Sequence, residues 1–164
     1  IVSYGMPNVS QPQNVGEVVA RGVEANWSRR MANGWSLAAN YTYNRTRVLR
    51  NEADPSVIGP DLPATPRHKA NLSFAYEPSA GFAVRMKLRA VGSAFTDDAN
   101  TVVDGRGYRW KKAGYAVLDL AATWRRPWWE LTLALDNATS RDYVQGFFWH
   151  GEPRILRGEL ILRY

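Results

Sequence analysis

Apolar residues recur at every second position through most of the chain, in segments of roughly ten, and almost nowhere at the i, i+3, i+4 spacing of a helix face. Residues 82–91 carry the pattern most cleanly: Phe82, Val84, Met86, Leu88 and Ala90 share one face, and Ala83, Arg85, Lys87, Arg89 and Val91 share the other. One face is apolar and its reverse is cationic. The same period predicts strands over 35–44, 70–76, 115–124, 129–137 and 155–164, with an earlier one over 17–30. That makes about seven strands, with residues 1–4 as a possible eighth stub.

The connections alternate in length. Short turns punctuated by Gly or Pro fall at 30–34, 77–81 and 125–128, and long loops at about 5–16, 45–68, 92–113 and 138–152. Loops longer than about 12 to 15 residues are uncommon inside compact domains. An antiparallel up-and-down meander with all tight turns at one end and all long loops at the other predicts an all-β, transmembrane β-barrel architecture.

The aromatic residues sharpen that expectation. Trp27, Trp35, Tyr76, Phe82, Trp124, Trp129 and Tyr164 sit near the short-turn ends of their strands on the apolar face, as an interfacial girdle requires. A soluble barrel that binds an apolar ligand inside is the competing reading. It would bury the apolar set and solvate the other, but here the second strip mixes Arg, Lys, Glu, Asn and small residues as a lumen does.

Composition agrees with this division. The chain has 164 residues, 45% of them hydrophobic and 12% aromatic, yet its mean hydropathy is −0.39. Interleaving two faces dilutes the hydropathy, and no run approaches the roughly 18 to 20 apolar residues of a membrane-spanning helix. The formal charge of +6 is dispersed along the chain and falls partly on one strand face, a poor footprint for nucleic acid. The absence of cysteine excludes disulfides, thiolate metal sites and a thiol nucleophile.

Several short motifs follow one another in order. They are Asn14-Val-Gly16 leading to Arg21-Gly-Val-Glu24, Trp35-Ser-Leu-Ala-Ala-Asn-Tyr-Thr-Tyr43, Pro63-Ala-Thr-Pro-Arg-His68 with Asn71-Leu72, and the 115–120 run with Asp119. Leu131-Thr-Leu-Ala-Leu-Asp-Asn137, Arg141-Asp-Tyr143, Gly151-Glu-Pro-Arg154 and the 160–164 ending complete the set. By these the chain resembles the C-terminal part of the barrel of TonB-dependent outer-membrane receptors. The resemblance implies a 22-stranded barrel closed by an N-terminal plug domain, which imports ferric siderophores, cobalamin or similar scarce ligands with energy passed from TonB. On that reading residues 1–164 are a C-terminal barrel segment without its plug, a fragment or truncated product. Standing alone, the strands would form an open curved sheet or a small closed barrel, and a standalone outer-membrane pore or structural barrel is the alternative function.

The resemblance also implies a bacterial outer-membrane location, contact with lipid and lipopolysaccharide, and contact with TonB only through the absent plug. Leu160, Leu162 and Tyr164 resemble the terminal signal read by the barrel-assembly machinery. Among candidate lumen charges, Arg85, Lys87 and Arg89 could focus positive potential on an anionic ligand. Alternatively they pair with Glu24, Asp119, Glu130 and Glu159 on neighbouring strands. Trp110, Phe147, Phe148, Trp149 and His150, on long loops, are candidate ligand contacts. His68 and His150 lie on different loops without a partner at metal-ligand spacing, and no nucleophile–base arrangement stands out. The expectation is a transport protein that is not an enzyme and carries no cofactor.

Overall fold

In a computed structural model, which describes residues 2–3, 10–11, 16–52, 54–78, 81–145 and 149–164, the alternating segments form one antiparallel sheet of seven strands. These are β1 (Glu17–Arg30), β2 (Trp35–Arg50), β3 (His68–Tyr76), β4 (Phe82–Val91), β5 (Tyr115–Arg126), β6 (Trp129–Asp136) and β7 (Ile155–Leu162). Each strand pairs with its neighbours in the chain, so the topology is a simple meander. β1 and β7 each pair on one side only, and the sheet is not closed.

Expected and observed boundaries agree to within two residues except in two places. β2 continues from residue 44 to Arg50, beyond the apolar alternation, because Val18–Arg21 of β1 supplies ladder partners as far as Val48. Glu17 pairs with Arg50 and Val18 with Val48, so Leu49 is left over as a bulge. The stub expected over 1–4 contributes Val2–Ser3, which pairs with Ser10–Gln11 in a separate two-stranded ribbon and does not join the sheet.

The short-turn end is laced by backbone bonds between successive turns. Glu77 N–H donates to Gly34 C=O at 2.8 Å, and Arg125 N–H donates to Gly81 C=O at 2.6 Å. Gly34 is required there: its φ is +88°, and a Cβ would stand 2.5 Å from the Glu77 carbonyl oxygen.

Residues paired directly across strands point to the same face, so the register sorts every side chain. The face carrying Arg85, Lys87 and Arg89 (hereafter inner) holds Thr46, Val48, Ala83, Val117 and Thr123, all buried. No described element covers the outer face: Trp27 and Leu156 on the edge strands are 53% and 74% exposed, while the outer residues of central β4, such as Leu88, are half-buried by their neighbours. The fully buried strand residues thus lie on the inner face, although Arg85, Lys87 and Arg89 there stay exposed, whereas a water-soluble sheet buries its apolar face under a second layer. Among the described residues no such layer exists.

Candidate functional site

The outer aromatics form a staircase. Trp27 is level with Ala39, Leu72, Leu88 and Leu118. Trp35 and its partner Tyr76 lie four residues nearer the short turns, the Phe82–Trp124 pair six, Trp129 eight and Tyr164 ten, counting along the ladders from that level. With a rise of about 3.3 Å per residue and strands about 4.8 Å apart, this line runs roughly 45° off the perpendicular to the strands. A belt parallel to a membrane plane crosses strands tilted about 35–45° in this way. Neighbouring rings on the steps touch: Trp35 lies 4.1 Å from Tyr76 and 4.8 Å from Phe74, and Phe82 lies 5.5 Å from Trp124, between centroids.

The inner face is a polar wall over which residues 138–145 and 149–152 fold back. Tyr143 stacks on Tyr115 at 4.4 Å, and Arg89 donates to its hydroxyl at 3.1 Å with the guanidinium 5.9 Å from the ring centre. Gly151 makes room for this ring, since a Cβ there would lie 2.0 Å from it. Asn137, 2% exposed, holds the loop. Its amide donates to the carbonyls of Arg141 and Glu152 at 2.8 and 3.0 Å, and its Oδ1 accepts the Arg141 N–H at 2.8 Å. Asp119 accepts the Asn137 N–H at 2.9 Å, and Arg157 pairs with Asp136 at 2.6 Å. A cavity of about 330 Å³ opens between Lys87, Arg89, Asp119, Asp136, Tyr143 and Arg157.

The expected pairing of Arg85, Lys87 and Arg89 with Glu24, Asp119, Glu130 and Glu159 is not met. Arg85 lies between Ala75 and Ala121, which offer no partner. Lys87 is level with Asp119, but that carboxylate caps Asn137 and no ion pair forms between them. Arg89 is taken by Tyr143. Glu24 stands opposite Thr42 and Glu159 opposite Thr132. Glu130 instead joins a chain of charges at the short-turn end: Arg125 bridges Glu77 and Glu130, the latter at 3.3 Å, and Arg163 meets Glu130 at 2.8 Å.

Among the loop residues, Trp110 is half-buried and donates its indole N–H to Asp104 at 3.0 Å, so it stabilises its own hairpin. That bond, ahead of the backbone N–H groups of Tyr108, Arg106 and Gly107, holds the Asp104 carboxyl below its ordinary pKa, against an opposing desolvation. Asp54 is lowered likewise by the Ser56 hydroxyl and N–H. Trp149 is 80% exposed, and His150 beside it sits 3.5 Å from Asp142. Phe147 and Phe148 lie outside the described residues. No group of three acidic, His or Cys side chains able to hold a metal ion occurs among the described residues.

Strand periodicity puts Asp136 and Arg157 on the polar face without singling them out as site residues, and it misses Tyr143 and Asn137. Tyr143 and Asn137 sit in or beside an irregular loop, where alternation carries no information about facing. Asn137 has one local signal, the Asp-Asn pair at a strand end, which suits its left-handed φ of +46°.

Residues 1–138 match the family described as TonB dependent receptor-like, beta-barrel. An uncharacterized TonB-dependent receptor of Haemophilus influenzae (strain ATCC 51907 / DSM 11121 / KW20 / Rd) is 36% identical over 64 residues, which cover 39% of this chain and 19% of that one. The fold is shared with the siderophore receptor PiuA from Acinetobacter baumannii, at a TM-score of 0.70 and 17% identity over 88% of this chain and 22% of that chain. It is shared too with the ferric yersiniabactin uptake receptor FyuA from Yersinia pestis, at a TM-score of 0.65 and 23% identity over 87% of this chain and 22% of that chain. The chain thus spans about a fifth of the length of these relatives. With the matched family covering six of the seven strands and the sheet superposing on receptor barrels, the chain belongs to the TonB-dependent receptor-like β-barrel family.

Proposed function

We propose that residues 1–164 form the C-terminal part of the barrel wall of a bacterial outer-membrane receptor that imports a ferric siderophore or a similarly scarce ligand. The energy comes from TonB through a plug domain outside these residues. The observation that carries the reading is the two-faced sheet: an apolar outer face that no described element covers, crossed by a tilted aromatic belt, and a polar inner face that holds the fully buried strand residues. That arrangement suits lipid outside and a ligand path inside. The fold neighbours, a siderophore receptor and a ferric yersiniabactin uptake receptor, support the ligand class.

In this reading Arg85 and Lys87, without ion-pair partners among the described residues, attract an anionic ferric complex along the inner wall. Trp149 and His150 line its outer approach, and Leu160, Leu162 and Tyr164 present one face of the final strand to the assembly machinery. The function is transport and involves no catalysis.

The test is uptake of radiolabelled ferric siderophores, from hydroxamate, catecholate and carboxylate classes, by cells carrying the natural receptor chain that contains this segment. One class is expected to accumulate only when TonB is present. Replacing Arg85 and Lys87 together by Gln lowers the initial uptake rate at limiting ligand by roughly tenfold, the scale of electrostatic steering. Arg89 stays in place because it anchors Tyr143. Uptake of none of the three, or uptake indifferent to TonB, sinks the proposal.

A further inference from the structure

A second cavity, of about 290 Å³, opens on the inner face nearer the short turns than the one beneath Tyr143. The two are contiguous, since Ser73 and Lys87 line both. The register shows why the wall is hollow there. Arg30 of β1, Ser36 of β2, Ala75 of β3 and Arg85 of β4 share one ladder row, and Ser28, Ala38, Ser73 and Lys87 share the next inner row. In both rows β2 and β3 contribute only Ser and Ala, while the strands flanking them carry the cations. With strands about 4.8 Å apart, Arg30 and Arg85 stand about 14 Å from each other across that low floor.

The two cavities differ in charge. The one beneath Tyr143 is lined by Lys87, Arg89 and Arg157 but also by Asp119, Asp136 and Glu152. Its groups largely satisfy one another or their surroundings: Arg157 meets Asp136, Arg89 meets Tyr143, and Asp119 caps Asn137. No carboxylate lines the second cavity. Among the described residues the side chains of Arg30, Arg85 and Lys87 make no ion pair or hydrogen bond, and neither do the hydroxyls of Ser28, Ser36 and Ser73. Donors thus surround a space that supplies no anionic acceptor. Arg85 and Lys87 lie three and five residues from Phe82 of the belt. At a tilt of roughly 45° that is about 7 and 12 Å along the membrane normal, within the lower half of an apolar band about 25 Å tall. Short turns of such barrels face the periplasm, so this cavity lies on the exit side of the wall.

We propose that the second cavity is an exit-side anion station, in which Arg30 and the Arg85–Lys87 pair take the charged oxygens of a complex leaving the cavity beneath Tyr143. Lys87, common to both, passes the anion from one to the other. The chemistry selected is a compact oxyanion of two or more charges, the oxygen-rich head of a ferric complex. Guanidinium forks suit such oxygens through paired hydrogen bonds, and the three serines add neutral donors. The volume is at the lower edge of ligand pockets, about 300–1,000 Å³, so the station holds the head and not a whole large complex. Charge sets the direction: the anion leaves a wall where acids oppose it for one where none does. The inference rests on the import reading above and adds to it Arg30, the serines and a step after entry.

The experiment uses the natural receptor chain containing this segment, with Ser73→Cys as reporter, since residues 1–164 hold no cysteine. In proteoliposomes an anionic methanethiosulfonate is expected to label Cys at 73 roughly tenfold faster than a cationic one of equal size, the low end of electrostatic focusing. Millimolar citrate, the oxyanion probe, slows labelling by both. Arg30→Gln with Arg85→Gln brings the two rates together and removes the citrate protection. Ala38→Phe fills the cavity with every cation present; it also removes the protection and covers the case in which the double variant fails to fold. Lys69→Gln, an equal charge change on the inner face of β3 outside the cavity, keeps both effects. In cells, Arg30→Gln alone leaves ferric siderophore binding to de-energised cells unchanged and lowers the uptake rate at saturating ligand roughly tenfold, the scale of a lost charge-assisted hydrogen bond. Arg30→Lys recovers most of that rate. Equal labelling by both reagents, no labelling at all, citrate protection that survives in either cavity variant, or an Arg30→Gln receptor that loses surface binding together with uptake overturns the proposal. Failure of the import reading shows separately, as a native receptor that accumulates no ferric siderophore while citrate still protects the reporter.

Discussion

Leu88 and its neighbours Lys87 and Arg89 are one residue apart on β4 and meet opposite surroundings. Leu88 lies on the outer face between Leu72 and Leu118, in a surface that no described element covers. Lys87 and Arg89 point to the inner face, where Tyr143, Asn137 and Thr123 build a hydrogen-bonded layer. The outer face makes few specific contacts, mainly ring against ring, and depends on whatever solvent covers it. The inner face is held by directional bonds that specify one arrangement. A period of two lets a single strand serve both, and it makes each face sensitive to a different kind of damage.

The largest expected effect comes from moving a cation by one position. Leu88→Arg puts a charge on the outer face six residues from the Phe82 step of the belt, near mid-band, where such a charge costs about 2–4 kcal/mol in a bilayer. Lys87 and Arg89 impose no such cost on the other face. Guanidinium unfolding of the full receptor in lipid vesicles reads the difference, and an unchanged midpoint would remove the lipid from the outer face.

Damage to the inner face is expected to be smaller. Asn137→Ala strips three bonds from a residue 2% exposed and leaves the carbonyls of Arg141 and Glu152 without that donor. A loss of about 1–3 kcal/mol is expected. Hydrogen exchange localises it to 138–152, because the strands keep their ladders. Protection lost equally across all seven strands would mean that Asn137 supports the whole sheet and not the loop.

The smallest effect lies outside both faces, at Asp104. Its carboxyl titrates below the ordinary value because the Trp110 indole N–H, first among its donors, binds the charged form. A lowered folded-state pKa stabilises the hairpin above the unfolded value, and that contribution is lost as pH falls through the folded one. The Trp110 indole resonance should hold steady from neutral pH to the edge of the carboxylate range and shift only below it. A shift nearer neutrality would assign the bond to another group.

Most of the sheet was legible because alternation is a local property: a strand between two solvents must write both into its sequence. The β4 segment is read over the same ten residues by pattern and by structure. β2 was read six residues short, because Thr46 and Val48 are held by β1 and buried on the inner face, and pattern alone cannot see a partner strand. The inner-face charges show the same limit. Facing could be read for Arg85, Lys87 and Arg89, but pairing could not, since it depends on register and on a loop that brings Tyr143 against Tyr115 and Arg89. Trp110 was visible as a loop aromatic, while its use within its own hairpin required the turn geometry of Asp104.

By itself the sequence determined the strands, the face each residue takes and the end at which the turns are short, because all three follow from spacing along one chain. The tertiary structure decided the register. Register turned a scatter of aromatics into a belt crossing the strands at roughly 45°, set Arg21 against Arg45, and led Glu130 to Arg125 and Arg163 in place of the β4 cations. Those relations join residues many positions apart through hydrogen bonds between strands, and no local pattern encodes them.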